Sequence, residues 1–178
     1  MSRESGLTLL ELMIVLTIIT ILAGLAFLGP GLVQRDRLAE ASRTLLADFH
    51  NARNNAMTRH SNANSWGFGI RFDSNRSYVV FEFIDLNGNY RYDDPVEELN
   101  PRGVTLSSPI SITLNAATDP TGEVFIFDRR GILRNIDLSS ATGRTYVLRS
   151  PNAAPRCLSV GMVRIREGGW SAATCVEM

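Results

Sequence analysis

The chain contains no lysine: all 18 of its basic residues are arginine, and 18 acidic residues balance them. Schiff-base chemistry and a P-loop lysine are therefore excluded. The balance of charge also leaves no broad positive field to favour nucleic acid or an anionic membrane surface. Histidine is almost as scarce, with only His50 and His60. Neither has a cysteine or acid spaced to complete a zinc site, and no Gly-Xaa-Ser-Xaa-Gly elbow accompanies them, so both read as surface or helix-end residues. Gly67-Phe68-Gly69 lacks the rest of a dinucleotide fingerprint and reads as a bulged strand. No internal repeat or low-complexity tract occurs. Catalytic residues, a metal centre and a cofactor are not expected.

What the chain does have is a long apolar run near its start. From Leu7 to Leu28 it counts 22 residues, with Glu11 as the single charge. That meets the requirement of roughly 20 apolar residues for a membrane-spanning helix. A carboxylate inside such a span costs a few kcal/mol, so Glu11 calls for a partner, most simply a positive charge on a neighbouring chain. The other reading is a side chain that snorkels to the membrane surface. A secretory signal peptide would need a basic start, an unbroken apolar core and a small-residue cleavage site. Gly24-Leu25-Ala26 could supply the last, but Glu11 interrupts the core and Arg3 is offset by Glu4.

A short polar leader ending in Gly6, then Leu7, Thr8-Leu9 and Glu11 ahead of an apolar span, resembles the class III leader of type IV pilins and pseudopilins. The resemblance implies cleavage between Gly6 and Leu7 by a prepilin peptidase and N-methylation of Leu7. It also implies that Glu11 neutralises the new terminal amine of an adjacent subunit during assembly. Leu7 stands where pilins usually carry Phe.

The two cysteines, Cys157 and Cys175, fall in the last 22 residues. In an exported domain they would oxidise to a disulfide worth about 3 kcal/mol in the chain-entropy model, pinning an end that otherwise frays. The positive-inside rule points the other way, because Arg35, Arg37 and Arg43 follow the span while only Arg3 precedes it. The leader requires a cytoplasmic Gly6, and the cysteines favour an oxidising compartment, so the C-terminal domain is expected in the periplasm.

Past the apolar run, Gly29-Pro30-Gly31 should bend or loosen a helix. Beyond it Leu38, Ala41, Leu45, Phe49, Ala52 and Ala56 recur at spacings of three and four between charged residues, an amphipathic helix running to about Arg59. Short runs rich in β-branched and aromatic residues follow: Trp66–Phe72, Ser77–Phe83, Ile110–Leu114, Glu123–Phe127, Thr145–Arg149, Cys157–Val160 and Met162–Ile165. Turn residues separate them. Consecutive strands without helices between them predict an α+β fold, a long N-terminal α-helix packed on antiparallel β-sheet. The expected divisions are a leader at 1–6, a transmembrane helical arm at 7–30, an amphipathic helix at 31–60 and a β-rich part of the same domain at 61–178.

The segments Leu46–Met57, Phe83–Asn89, Phe127–Gly131 and Gly161-Met162-Val163-Arg164 are similar to the GspH/FimT family of H-type pseudopilins and minor pilins. Some FimT-branch relatives bind DNA through a late Gly-Arg-Xaa-Arg patch. Here Met162 replaces the first Arg, leaving Arg164 and Arg166, read as one strand face, as the candidate DNA contacts. The loop Asp85–Glu98 is rich in the oxygen side chains that calcium sites use. Asp85, Asn87 and Asn89 fit the first positions of an EF-hand, but Tyr90 and Val96 occupy the places of the essential Gly and Glu. An Asx-type turn joining two strands is preferred, with a looser oxygen site around Asp85, Asn87, Asn89 and Asp93 as the alternative.

The resemblance thus implies a non-enzymatic pilin-like protein, single-pass in a bacterial inner membrane. It would assemble near the tip of a type II secretion pseudopilus; a type IV pilus minor pilin serving assembly or DNA uptake is the alternative. Its partners would be other pilin subunits, the prepilin peptidase and the secretion or pilus machinery. The reading from another class is a Sec-exported β-rich enzyme or lectin with a mature start near Phe27.

Overall fold

The computed structural model describes residues 8–59, 64–115 and 117–177, the side chains of 25–30 and 32 excepted. One helix, α1, runs from Leu9 to Thr58, 50 residues or about 75 Å. Thr8 caps its start, its hydroxyl accepting the Glu11 amide at 3.3 Å. Its backbone stays helical through Gly29-Pro30-Gly31, so these residues do not break it. The Arg59 amide closes its far end on the Asn55 carbonyl at 2.7 Å.

Ten strands follow: β1 Ser65–Ser74, β2 Ser77–Ile84, β3 Glu98–Thr105, β4 Ser111–Leu114, β5 Val124–Asp128, β6 Leu133–Arg134, β7 Arg144–Ser150, β8 Ala153–Val160, β9 Ile165–Ser171 and β10 Thr174–Glu177. They form two five-stranded antiparallel sheets, ordered β3-β2-β1-β5-β6 and β10-β9-β8-β7-β4. The α+β architecture is as expected, with two sheets sharing the helix instead of one.

The second half of α1 seats Leu38, Ala41, Leu45, Phe49, Ala52 and Ala56 in the core between the sheets, all buried. These are the six residues whose spacing marked the apolar stripe. Phe49 meets Phe127 of the first sheet edge-on at 6.3 Å and Tyr146 of the second at 5.8 Å. Each fully buried side chain of this size contributes roughly 1.5–3 kcal/mol. One helical row therefore holds two sheets whose strands do not pair with each other among the described residues.

Gly67 lies at a register shift against β2, the bulge expected of this segment. A Cβ there would stand 1.9 Å from the Phe127 carbonyl oxygen, so β5 can approach β1 only because the side chain is missing. Four stretches depart from the sequence-based expectation. Strand β3 carries Pro101 and is mostly exposed, yet it pairs as an edge strand because Pro101 falls within its register shift against β2. Met162–Arg164 is a turn, closed by the Gly161 amide on the Arg164 carbonyl at 2.7 Å, and β9 begins only at Ile165. The strands β6 and β10, two and four residues long, had too little pattern to be read.

Candidate functional site

The first sixteen residues of α1 pack on nothing among the described residues. Its side chains from Leu9 to Gly24 are exposed, with Leu9 at 78% and Leu22 at 60%. Glu11 stands exposed in the first turn of this bare apolar arm. Its position suits a carboxylate, since the helix N-terminus carries partial positive charge. Thr8-Leu9-Leu10-Glu11 also has the spacing of a capping box, of which the Thr8 half is formed. The reading from sequence missed Thr8 as a cap, although a Thr three residues before a Glu at the head of an apolar run was the signal. Gly6 and Leu7, the expected cleavage and methylation positions, lie outside the described residues. Among the described residues no helix is long and apolar enough to cross a membrane. Part of the expected span 7–30 lies outside them.

At the other end of α1, segments far apart in sequence come together. The Arg53 guanidinium donates to the Val163 carbonyl at 2.5 Å, and the Leu133 amide to the Met162 carbonyl at 3.2 Å. A Cβ on Gly131 would meet Met57 Sδ at 2.8 Å and Arg53 Nε at 3.1 Å. Arg129 donates to the Ser65 carbonyl at 2.6 Å. The motifs at Leu46–Met57, Phe127–Gly131 and Gly161–Arg164 thus form one packed unit at the end of the domain away from the arm. Their chemistry is structural, with arginine closing open carbonyls.

Cys157 and Cys175 form the expected disulfide, with Cα atoms 5.7 Å apart. It joins β8 to β10 across the intervening β9, where Gly168 lies opposite Cys157 and Glu177. A Cβ on Gly168 would sit 2.2 Å from the Val176 carbonyl oxygen and 3.3 Å from Cys175 Sγ. The bridge needs a glycine beneath it.

Residues 1–27 match the family described as the prokaryotic N-terminal methylation motif. The pilin-like protein PilA1 of Thermus thermophilus is 34% identical over 130 residues, covering 71% of this chain and 78% of that protein. The chain belongs to the type IV pilin-like family. No solved structure matches it significantly.

In this type IV pilin-like protein the candidate DNA arginines do not share a strand face. Arg164 is exposed in the turn before β9, whereas Arg166 lies within β9 and is ion-paired with Glu177. The change at Met162 accompanies a turn, and the second arginine already has a carboxylate.

The loop from Asp85 to Glu98 is built from Asx turns, joining β2 to β3. Asp85 accepts the Gly88 and Tyr90 amides at 2.8 and 3.1 Å; Asp93 accepts the side-chain amides of Asn87 and Asn89 at 2.8 and 2.6 Å. Those amides hold the exposed Asp93 carboxyl below the usual carboxylate range. The oxygens of the alternative calcium site are thus engaged with the loop itself. Among the described residues no group of three or more His, Cys, Asp or Glu is placed to hold a metal ion. Of the two histidines, His50 is exposed on α1, and His60 lies outside the described residues.

Proposed function

We infer that the chain is a non-enzymatic minor subunit of a pilin-like filament. The inference rests chiefly on one observation. A single uninterrupted helix buries its C-terminal half in the domain and leaves its apolar side chains from Leu9 to Leu22 exposed, with one carboxylate at the fifth position after the expected cleavage point. In this reading the arm is held in the bacterial inner membrane with the domain in the periplasm. A prepilin peptidase removes residues 1–6, Leu7 is methylated, and Glu11 neutralises the terminal amine of a neighbouring subunit. The arms then bundle as the filament core and the sheet domains coat it. Small residues such as Ala23 and Gly24 allow close approach of helices.

The assembly would act near the tip of a type II secretion pseudopilus or as a minor pilin of a type IV pilus. The name of the Thermus thermophilus relative, a pilin-like protein, supports the pilus branch. The ion pair between Arg166 and Glu177 weighs against DNA uptake through that strand. Mass spectrometry of the N-terminus from the native host tests the reading. A chain beginning at methylated Leu7 is expected; one beginning near Phe27 would identify a Sec-exported soluble protein instead.

A further inference from the structure

We propose that Arg35 and Arg37 form a collar that binds the phosphate groups of anionic phospholipid at the membrane surface from which the domain emerges. The proposal rests on the reading of the apolar arm as membrane-embedded. Of the four arginines that follow that arm on α1, Arg53 donates to the Val163 carbonyl, and three remain: Arg35, Arg37 and Arg43. All three are exposed, and none of their side chains makes a hydrogen bond or ion pair among the described residues. The sheets use their arginines differently. Arg71 is held by Glu98 at 2.7 Å, Arg134 by Asp128 at 2.9 Å and Arg156 by Glu167 at 2.8 Å. Arg164 in the turn before β9 is likewise exposed without a side-chain partner among the described residues, but it stands alone, whereas Arg35 and Arg37 lie two residues apart on one turn of helix.

Their depth fits a headgroup. Arg35 follows Leu28 by seven residues, about 10 Å along the helix axis. Helical side chains lean toward the helix N-terminus and cover the preceding turn, so the guanidinium falls back about 5 Å toward the bilayer. Headgroup layers extend roughly 5–8 Å beyond the hydrocarbon on each side. Arg37 lies a further two residues, about 3 Å, along. Arg43 is about 22 Å past Leu28 and out of reach.

The two guanidiniums flank the buried Leu38 on opposite sides of the helix. Arg35 lines the cleft toward Pro155 and Arg156 of β8, and Arg37 the cleft toward Val104–Ser107 at the end of β3. Asp36 lies between them and Glu40 lines the Arg37 cleft one turn further from the bilayer, so the two guanidiniums are the positive groups of α1 nearest the membrane surface on this side of the arm. The planar fork of arginine suits phosphate oxygens, and a positive residue near an anionic surface gains free energy there. The arginines that contradict the positive-inside rule thereby acquire a use, fixing the height of the domain above the bilayer before assembly.

The test uses the full chain in nanodiscs of equal parts phosphatidylglycerol and phosphatidylcholine, released into native mass spectrometry. Wild type should retain phosphatidylglycerol at least about threefold over phosphatidylcholine. The R35Q/R37Q double variant should return to the bulk ratio with unchanged Tm, and R43Q should behave as wild type. A bulk ratio for wild type that does insert, or enrichment that survives in R35Q/R37Q, overturns the proposal alone. Failure of wild type to insert overturns the membrane reading with it. Retention of inorganic phosphate in a purely zwitterionic disc, lost in R35Q/R37Q, would assign the collar to a soluble anion and overturn the lipid assignment.

Discussion

The Tyr78 hydroxyl donates to Asp48 Oδ2 at 2.8 Å inside the core, tying β2 to α1. Asp48 is buried, and its other oxygen accepts from Arg102 of β3, so one helical carboxylate holds two strands. Burial and the neighbouring Asp48 carboxylate both push the Tyr78 hydroxyl far above its ordinary pKa, keeping it a donor. Tyr78→Phe should cost about 1.5–3 kcal/mol, the range for a hydrogen bond to a charged group. Urea unfolding of the domain measures it, and an unchanged midpoint would show that the bond contributes nothing net.

Tyr146 makes the opposite prediction. It stacks on Phe72 at 4.8 Å and meets Phe49 and Phe125, but its buried hydroxyl has no hydrogen-bond partner among the described residues. Tyr146→Phe keeps the ring contacts and removes a desolvated polar atom. Stability should stay the same or rise by up to about 1 kcal/mol. A marked loss in the same unfolding assay would reveal a partner for that oxygen.

The crossing of the disulfide over β9 can be probed at the residue beneath it. Removing the bridge with C157S/C175S should cost about 3 kcal/mol by lost loop constraint. Gly168→Ala should cost about 1–3 kcal/mol from crowding at the Val176 carbonyl. It should also raise the fraction of thiol-reactive protein after purification. Full oxidation and native stability in this variant would mean that β10 can shift to make room.

Asp128 predicts a pH dependence. Burial opposes its ionisation, but the amides of Ile132 and Arg130 and the Arg134 guanidinium outweigh it and hold its carboxyl below the usual range. A depressed folded pKa stabilises the fold above the unfolded value, near pH 4. That contribution is lost as pH falls through the lower folded value. Between those two values the stability of Asp128→Asn should fall less steeply with acid than that of wild type. Parallel curves would assign the acid sensitivity to other carboxylates.

Glu11→Ala should leave the domain fold and its Tm unchanged, because Glu11 lies on the bare arm, far along α1 from the core. Cleavage at Gly6 should also persist, while incorporation into filaments in the host drops severalfold as an uncompensated amine enters the core. Normal incorporation would overturn the pairing with a neighbouring amine.

The sequence by itself determined the helix, its buried row from Leu38 to Ala56, most of the strands, and the arm with its single carboxylate. Those features are carried by local period: three and four on the helix, short β-branched runs in the sheets, and an apolar run too long to mistake. The cysteine pairing followed from there being only two. Tertiary structure decided what depends on distant partners. Division of the strands into two sheets, the turn at Met162–Arg164 and the edge pairing of β3 despite Pro101 arise from register between segments far apart. The same holds for Tyr78, bonded to Asp48, and for Tyr146, which is left without a partner. Two tyrosines identical in type received opposite energetic roles because one hydroxyl reaches a helical carboxylate and the other reaches no partner among the described residues. Position along the chain carries no trace of that difference; packing creates it.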